Sequence, residues 1–453
     1  MRFLRLGTAG LRGETGSGLN PQYAINFSSA FGTYTDGGVV VVGRDTRISS
    51  GMLYHAVISS LLSCGCKVFD AGICPAPMLQ FLIPYLDAQG GIMIGAGHHP
   101  ANWNALVPLD SCGAYLNSVQ VQELLDIYHS NKYACQPWNK TGSVEMVGSD
   151  AADAYLDAIC ANINTGLIAS GNYTVIADFC NGSGSLLADK LSARLGIRLI
   201  SLNNELSGVL PHDPEPRPRS STQVRSIMEP LKGDVGFVFN SDMSRLAVVS
   251  DNGETLSEEL SFPLVADHVL EKAGSGQTVV TNTCTTRTLD DIVKHHNCHL
   301  VKTRVGQAYV LDSMLEHDAI MGGDGSGSVV LRGSVNGYDG FAAMALILES
   351  MAEHQCSSSG LVKRLPRYWI NKKKISCMAV NAYSRIRELR NFYPDARVSE
   401  EDGFRFDWDD GWVHLRSSAT EPVIRMIVAW KTREEAEDRA VEIRGAMERR
   451  GGS

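Results

Sequence analysis

The sequence predicts an α/β protein of four domains, in which three related α/β domains precede a smaller C-terminal α+β domain. A chain of 453 residues exceeds what one hydrophobic core usually serves, so several domains are expected. A unit of apolar strand, small polar loop and helix occurs three times along the chain, which is typical of related α/β domains. After residue 374 the pattern changes to short strands with alternating apolar residues, which indicates a different kind of fourth domain.

Each of the three repeated units has its polar loop directly after a strand. The strand, loop and helix lie at residues 39–42, 43–47 and 50–63 in the first unit, at 173–179, 181–184 and 186–195 in the second, and at 277–282, 284–287 and 289–295 in the third. Ligands of open α/β sheets bind at the carboxyl ends of the strands. The loops are therefore the first places to look for function.

Polar stretches at residues 131–150, 250–256 and 357–374 separate the units. We therefore predict four domains, at residues 1–148, 149–254, 255–366 and 367–453. In the last domain, the pattern predicts a strand at 375–380, a helix at 382–390, strands at 404–408, 412–415 and 424–430, and a charged helix from Thr432 onward.

The charge balance excludes several classes of partner. With 41 Lys and Arg against 50 Asp and Glu, the net charge is −9, so the chain has no general attraction for nucleic acid or anionic membranes. No stretch is long and apolar enough for a transmembrane helix, and the first residues lack the apolar centre of a signal peptide. The 11 scattered cysteines fit a reducing compartment, so we expect a cytoplasmic protein.

The most unusual stretch of the chain is GGIMIGAGHHPANWNALV at residues 90–107. Its apolar run at residues 92–96 predicts a strand, which leads to His98 and His99 on a turn that Pro100 closes. The stretch contains no Ser, Thr, Cys, Asp, Glu or Lys, so the two histidines are its only titratable groups. A functional loop of this shape normally carries a nucleophile, and this one has none of the usual type.

Several other loops carry polar groups of chemical interest. The segment RSSATEPVIR at residues 416–425 combines two arginines, three hydroxyls and small residues, which suits an oxyanion such as phosphate, although an ordinary polar turn is the alternative. The segments GTAGLRG at 7–13 and GRDTR at 43–47 offer further arginines, and Asp45 is expected to pair with Arg44 or Arg47. The glycine-rich turn MGGDGSGS at 321–328 has a carboxylate and hydroxyls that suit sugar hydroxyl groups.

The segment NSDMSR at residues 240–245 lies between two apolar strands. Alternate positions of such a loop can converge on a cation, but Asn240, Asp242 and Ser244 supply a single carboxylate. A hard divalent ion is usually held by carboxylates together with phosphate oxygens. The segment is therefore a poor metal site and is better explained as a hairpin-like turn.

Together these segments resemble the motifs of the α-D-phosphohexomutase family, which includes phosphoglucomutase, phosphomannomutase and phosphoglucosamine mutase. The resemblance spans nearly the whole chain in order. The similar pairs are GTAGLRG with GTSGLRG, GRDTRISS with GRDTRxSS, GICPAP with GxxPTP, HDPEP with HxPNP, GGDGSG with GGExSG, and RSSATEPVIR with RPSGTEPxxR.

The resemblance implies four domains around a central cleft, with mixed sheets in the three α/β domains. It also implies a phosphoserine that exchanges phosphate with a sugar, and Mg²⁺ on that phosphoserine. However, the family's serine loop TASHNPxxxNGxK is GAGHHPANWNALV here, which places Gly97 at the phosphoserine position and Val107 at the position of the acid–base lysine. The metal loop DGDxDR becomes NSDMSR, and Asp324 replaces the glutamate of the sugar loop.

The groups that the resemblance assigns to binding are largely retained, and these are Arg12, Arg245, Asp324, Ser326, Arg416, Ser417, Ser418, Thr420 and Arg425. Phosphoryl transfer needs a phosphorylatable oxygen, a cation and a base, and glycine cannot accept phosphate. The leading hypothesis is therefore a phosphohexomutase-like pseudoenzyme that binds a phosphosugar or another phosphate ligand without mutase activity, and acts as a sensor or through a protein partner or homo-oligomer. No cofactor is expected, because the Mg²⁺ site is degenerate.

Two alternatives stay open at this level. In the first, the protein is an active phosphosugar enzyme with altered chemistry, in which His98 or His99 carries phosphate or acts as a base. The family already has a histidine at the position of His98, so only His99 is new. In the second alternative, the protein is a structural scaffold subunit and the cleft is vestigial.

Overall fold

The computed structural model describes residues 4–376, 379–417 and 423–448. The elements of the first domain are β1 Leu4–Gly7, β2 Gly10–Glu14, α1 Pro21–Tyr34, β3 Val39–Arg44, α2 Ser50–Ser63, β4 Lys67–Ile73, α3 Ala76–Tyr85, β5 Gly90–Ile94, β6 Trp103–Leu109, α4 Ser118–Ser130 and β7 Ser143–Met146. Those of the second are α5 Ala151–Cys160, α6 Thr165–Ser170, β8 Thr174–Asp178, α7 Ala188–Leu195, β9 Arg198–Leu202, α8 Thr222–Leu231, β10 Val235–Phe239 and β11 Leu246–Ser250.

The third domain contains α9 Ser261–Ala273, β12 Thr278–Asn282, α10 Arg287–His295, β13 His299–Thr303, α11 Gln307–Glu316, β14 Met321–Asp324, β15 Ser328–Leu331, α12 Gly340–Glu353 and α13 Ser358–Arg364. The fourth contains β16 Trp369–Ser376, α14 Ala379–Leu389, β17 Arg397–Ser399, β18 Phe404–Asp407, β19 Gly411–Ser417, β20 Val423–Trp430 and α15 Arg433–Glu448. Short 3₁₀ helices lie at Ser183–Leu186 and Glu258–Leu260.

The first three domains share one sheet topology, which confirms the predicted fold class. In each domain a central strand pairs in parallel with two neighbours, and one of these pairs in turn with an antiparallel strand. The strand orders are β4-β3-β5-β6 within the first sheet, β9-β8-β10-β11 in the second and β13-β12-β14-β15 in the third. The fourth sheet, in the order β16-β20-β19-β18-β17, is antiparallel throughout.

Local sequence explains where the elements begin. The central strand β3 contains four consecutive valines, as expected for a parallel strand that is covered on both faces. Helix α1 begins at Pro21, and the side chain of Asn20 caps it by accepting from the N–H of Tyr23. The buried helix α12 begins after Asp339, whose carboxylate accepts from the N–H groups of Phe341 and Ala342.

Three expectations about elements were wrong in detail. The polar stretch at residues 131–150 is not only a separator, because it contains β7, which adds a parallel strand next to β4. The strand at 375–380 is instead β16, which begins at Trp369 and pairs with β20 over eight residues. The polar stretch at residues 357–374 is likewise not only a separator, because it contains α13 and the start of β16, where Lys372 lies. Its Nζ lies 2.9 Å from Glu258 Oε1 and 2.7 Å from Glu259 Oε1, so it joins the fourth domain to the third.

The apolar core is shared unevenly among the domains. One buried cluster includes residues of the first three domains, for example Leu79, Phe239 and Phe341. A separate cluster between the fourth sheet and its helices includes Phe404 and Ile443. The fourth domain therefore has its own core.

A buried ionic cluster in the third domain makes the free energy of unfolding depend on pH in the acidic range. Glu349 is fully buried, and its carboxylate accepts from His268 Nε2 at 2.8 Å, Lys272 Nζ at 2.7 Å and the N–H of Asn164 at 2.9 Å. Burial opposes the ionisation of Glu349, but these donors outweigh it and lower its pKa to about 2. The stabilisation is thus complete above pH 4.5, the ordinary pKa, and is lost as the pH falls toward 2.

We expect the unfolding midpoint of the wild type to exceed that of Glu349→Gln by more at pH 6 than at pH 3. Thermal unfolding at both pH values measures this difference, with exposed Glu229→Gln as the control. An equal difference at both pH values would contradict the assignment.

Candidate functional site

Three segments that the sequence singled out occupy equivalent places in the first three domains. They are the serine-position loop at residues 95–102, the turn at residues 240–245 and the turn at residues 325–327. Each is the turn between a parallel strand and its antiparallel neighbour, namely β5 to β6, β10 to β11, and β14 to β15. The turns of the first two domains touch. A Cβ atom built on Gly97 lies 2.5 Å from Asp242 Oδ2 and 3.6 Å from Asn240 Nδ2. The serine-position loop and the 240–245 turn, which the resemblance assigns to the metal, therefore lie in contact.

Gly97 has a backbone conformation that favours glycine. Its φ is +51°, in the left-handed region, and the Asp242 carboxylate fills the place of a side chain. Val107, at the lysine position, lies within β6 rather than on the loop, and its register partner is Met93. These two positions thus present neither a nucleophile nor a base.

One arginine holds the backbone of the serine-position loop. The guanidinium of Arg47 donates to the carbonyl oxygens of Gly97 at 2.9 Å and His99 at 2.7 Å. It also donates to those of Pro100 at 2.7 Å and Trp103 at 3.1 Å. The expected Arg–Asp pair is present as well, because Arg47 Nε lies 3.0 Å from Asp45 Oδ2, but the four carbonyl contacts are a tertiary feature that the motif did not indicate.

Both histidines of the loop are held neutral near pH 7. The Nδ1–H of His99 donates to the carbonyl oxygen of Ala96 at 2.9 Å, which leaves Nε2 with a free lone pair. Burial and the charges of Arg12, Arg47 and Arg245 lower the pKa of His99 to about 4. Burial, followed by Arg245, lowers the pKa of His98 well below its usual value. The positive charge of this region is therefore carried by arginines.

The arginines come from different domains. Arg12 lies on β2, and burial, Arg5 and then Arg425 lower its pKa. Arg245 is the last residue of the 240–245 turn in the second domain, and its Nη1 lies 3.3 Å from Glu215 Oε1. Like charges that are close enough to lower the pKa of Arg12 define a region that favours an anion.

The turn at residues 240–245 is bonded internally. Asp242 Oδ1 accepts from Asn240 Nδ2 at 2.8 Å, from Ser244 Oγ at 2.7 Å and from the N–H of Ser244 at 3.1 Å. Among the described residues, no group of three or more His, Cys, Asp and Glu side chains could hold a metal ion. As predicted from the sequence, the segment is a turn between two antiparallel strands.

The sugar-loop position is also tied to its own turn. Asp324 Oδ1 accepts from the N–H of Ser326 at 2.9 Å and from its hydroxyl, while Asp324 Oδ2 accepts from Tyr338 at 3.3 Å. The carboxylate is buried. Asp324 and Ser326 therefore lie together, as the motif indicated, but the carboxylate already has partners.

Part of the predicted phosphate loop lies on the fourth sheet. Arg416 and Ser417 end β19, and Arg416 faces Arg425 of β20 in the register. Ser418 and Thr420 lie outside the described residues. Arg416 Nη1 lies 3.0 Å from Asp402 Oδ2, a contact that the sequence did not indicate because 14 residues separate the two.

This arrangement defines a class: a four-domain α/β protein in which equivalent turns of the first two domains touch, and in which Arg425 of the C-terminal domain is close enough to Arg12 of the first to lower its pKa. The described helices include none that is long and apolar enough to cross a membrane. Sequence profiles of the phosphoglucomutase/phosphomannomutase family match in order, with alpha/beta/alpha domain I at residues 4–134, domain II at 153–253, domain III at 258–368 and the C-terminal domain at 372–446. The chain belongs to the phosphoglucomutase/phosphomannomutase family. The predicted domain boundaries stay predictions.

Individual relatives match over nearly the whole chain. A Pyrococcus abyssi protein named "Probable phosphoglucosamine mutase" is 35% identical over 95% of each chain. A phosphoglucomutase/phosphomannomutase of Thermococcus kodakarensis is 32% identical, covering 95% of this chain and 96% of the relative. The crystal structure of a phosphoglucomutase/phosphomannomutase family protein from Burkholderia thailandensis has a TM-score of 0.86 and 25% identity, and covers 98% of this chain and 97% of its own.

Proposed function

We propose that this chain binds a phosphosugar or a related phosphate ligand in its cleft and does not catalyse the mutase reaction of its relatives. The observation that carries the proposal is the contact between the first two turns. The position that would carry the phosphoserine is Gly97, and the Asp242 carboxylate lies 2.5 Å from its built Cβ. A phosphoserine requires a side-chain oxygen at position 97, and here neither the atom nor the space for it is available.

The arginines support the binding half of the proposal. The charges of Arg12 and Arg245 lower the pKa of both His98 and His99, so both arginines lie near the serine-position loop. Arg425 of the fourth domain is exposed, and its charge lowers the pKa of Arg12. Such groups suit the charge of a phosphate ester, so we propose a sensor or partner-binding role in which ligand occupancy is the signal. A protein partner or a second copy of the chain would receive that signal.

A mutase assay tests the catalytic half. With glucose 1-phosphate or glucosamine 1-phosphate, Mg²⁺ and a hexose bisphosphate activator, we expect no turnover above a buffer control. Calorimetry with glucose 6-phosphate and glucosamine 6-phosphate tests the binding half, for which we expect a saturable isotherm. Turnover that survives removal of host mutases and disappears in Arg245→Ala would overturn the proposal.

A second candidate function follows from His99. Its Nδ1–H is engaged by Ala96, so its Nε2 lone pair is free to attack phosphorus. The attack would form a P–N bond and break the P–O ester bond of a sugar bisphosphate, and the sugar oxygen would take a proton from water. After incubation with glucose 1,6-bisphosphate, an acid-labile and base-stable phosphoprotein that is absent from His99→Ala would establish this function in place of the first.

A further inference from the structure

We infer that Gly97 and the 240–245 turn form a single cation-free unit, in which internal hydrogen bonds replace the divalent ion on which the relatives' phosphoserine chemistry is expected to depend. The ligand phosphate would then be held by arginines alone. This last step rests on the proposed function, whereas the cation-free turn stands on its own geometry.

The orientation of the Asn240 amide excludes a cation at the centre of the turn. The backbone N–H of Arg245 donates to Asn240 Oδ1 at 3.1 Å, which identifies the oxygen end of the amide. The Nδ2 end therefore faces inward, 2.8 Å from Asp242 Oδ1 and 3.0 Å from Ser244 Oγ. Asn240 is fully buried, so turning the amide over would break the backbone contact without compensation from water. An inward N–H donor presents positive charge where an ion would need an oxygen.

The remaining oxygens are too few for a divalent ion. Oδ1 of Asp242 already accepts from three donors, two on Ser244 and one on Asn240. Mg²⁺ requires near-octahedral oxygen ligands, and Ca²⁺ requires six to eight. Only Oδ2 of Asp242 is directed away from these donors, toward Gly97. One carboxylate oxygen does not make a site, so the residues present do not fit Mg²⁺.

The glycine and the turn depend on each other. Because Asp242 Oδ2 lies 2.5 Å from the built Cβ of Gly97, any side chain at position 97 must displace that carboxylate. Displacing it would also break its contacts with Asn240 and Ser244. The backbone of Gly97 is itself linked to the turn, because Ser241 Oγ donates to its carbonyl oxygen at 3.0 Å. Loss of the side chain at 97 and loss of the cation are thus one structural change.

The first experiment measures Mn²⁺ binding by calorimetry and by electron paramagnetic resonance. We expect no Mn²⁺ site in the wild type or in Asn240→Ala/Ser244→Ala. We expect a saturable site in Asn240→Asp/Ser244→Asp, because three carboxylates then converge. The alanine control removes the amide without adding carboxylates. Mn²⁺ binding by the wild type that is lost in Asp242→Asn would overturn the inference, as would a carboxylate variant that folds but binds no Mn²⁺.

The second experiment tests the dependence between the two turns. Gly97→Ser is expected to lower the thermal midpoint of the wild type by a few degrees. In the Asn240→Asp/Ser244→Asp background with Mn²⁺, the same change is expected to lower it by less, because the carboxylate is drawn toward the ion. Equal losses in both backgrounds would contradict the coupling.

The ligand arm is calorimetry of the wild type with glucose 6-phosphate, in excess Mg²⁺ or in EDTA. We expect dissociation constants that agree within about twofold, because arginines neutralise the phosphate without a metal. A dissociation constant that depends strongly on Mg²⁺ would overturn the inference. Absence of any binding would contradict the proposed function instead, and the Mn²⁺ measurements would still decide whether the turn is cation-free.

Discussion

Replacement of Arg47 by methionine is expected to lower the free energy of unfolding by about 3–5 kcal/mol, because it leaves the fully buried Asp45 carboxylate without its ionic partner. The same change removes the donor to four carbonyl oxygens of the serine-position loop. Burial already raises the pKa of Asp45, and Arg47 and Ser50 oppose that rise. Urea unfolding followed by circular dichroism measures the loss.

The double variant Asp45→Asn/Arg47→Met separates the two effects of the substitution. It removes the buried charge together with its partner, so it should be less destabilised than Arg47→Met while still lacking the carbonyl donors. If Arg47→Met costs less than about 1 kcal/mol, the value typical of an exposed ion pair, then Arg47 does not hold the loop as the distances indicate.

Replacement of Arg425 by methionine is expected to weaken glucose 6-phosphate binding by roughly 10- to 100-fold, the range of one charge-assisted hydrogen bond to an anion. Arg425 is exposed, and within the described part of the chain it has no ion-pair partner. Its removal therefore leaves no buried charge, and the thermal midpoint should stay close to that of the wild type. Calorimetry gives the affinity and unfolding gives the control on stability.

A matched control is available in the same domain. Arg397 lies at the start of β17, the edge strand on the far side of the sheet from β16, and its side chain is 74% exposed. Arg397→Met removes one positive charge without touching β19 or β20, so it should leave the affinity unchanged. Equal affinities for the wild type and both variants would contradict a role of Arg425 in binding, and absence of binding by all three proteins would favour the structural scaffold with a vestigial cleft.

Much of the architecture could be predicted because it depends on local patterns. The four valines of β3 and the repeated unit of strand, loop and helix predicted three related α/β domains, and the sheets have that topology. The last domain was predicted less precisely. The charged side chains of Lys372–Lys374 concealed β16, since a strand with few buried residues lacks a clear apolar pattern.

The sequence by itself determined which chemical groups are missing. Glycine at 97 and valine at 107 exclude a phosphoserine and a lysine whatever the fold, because these side chains have no ionisable or transferable group. It also determined the family, since the motifs occur in the right order along the chain.

Only the tertiary structure decided what replaces those groups. Arg47 donates to four carbonyl oxygens of residues that lie 50 to 56 positions later in the chain. Asp242 contacts Gly97 although 145 positions separate the two. Such contacts depend on which strands pair and on how the domains pack, and neither is a local property of the sequence. The amide of Asn240 likewise acquires its direction from the backbone of Arg245. Hydrogen-bond partners are set by position in space, which is why the motif identified the residues of the turn but not the direction in which the Asn240 amide points.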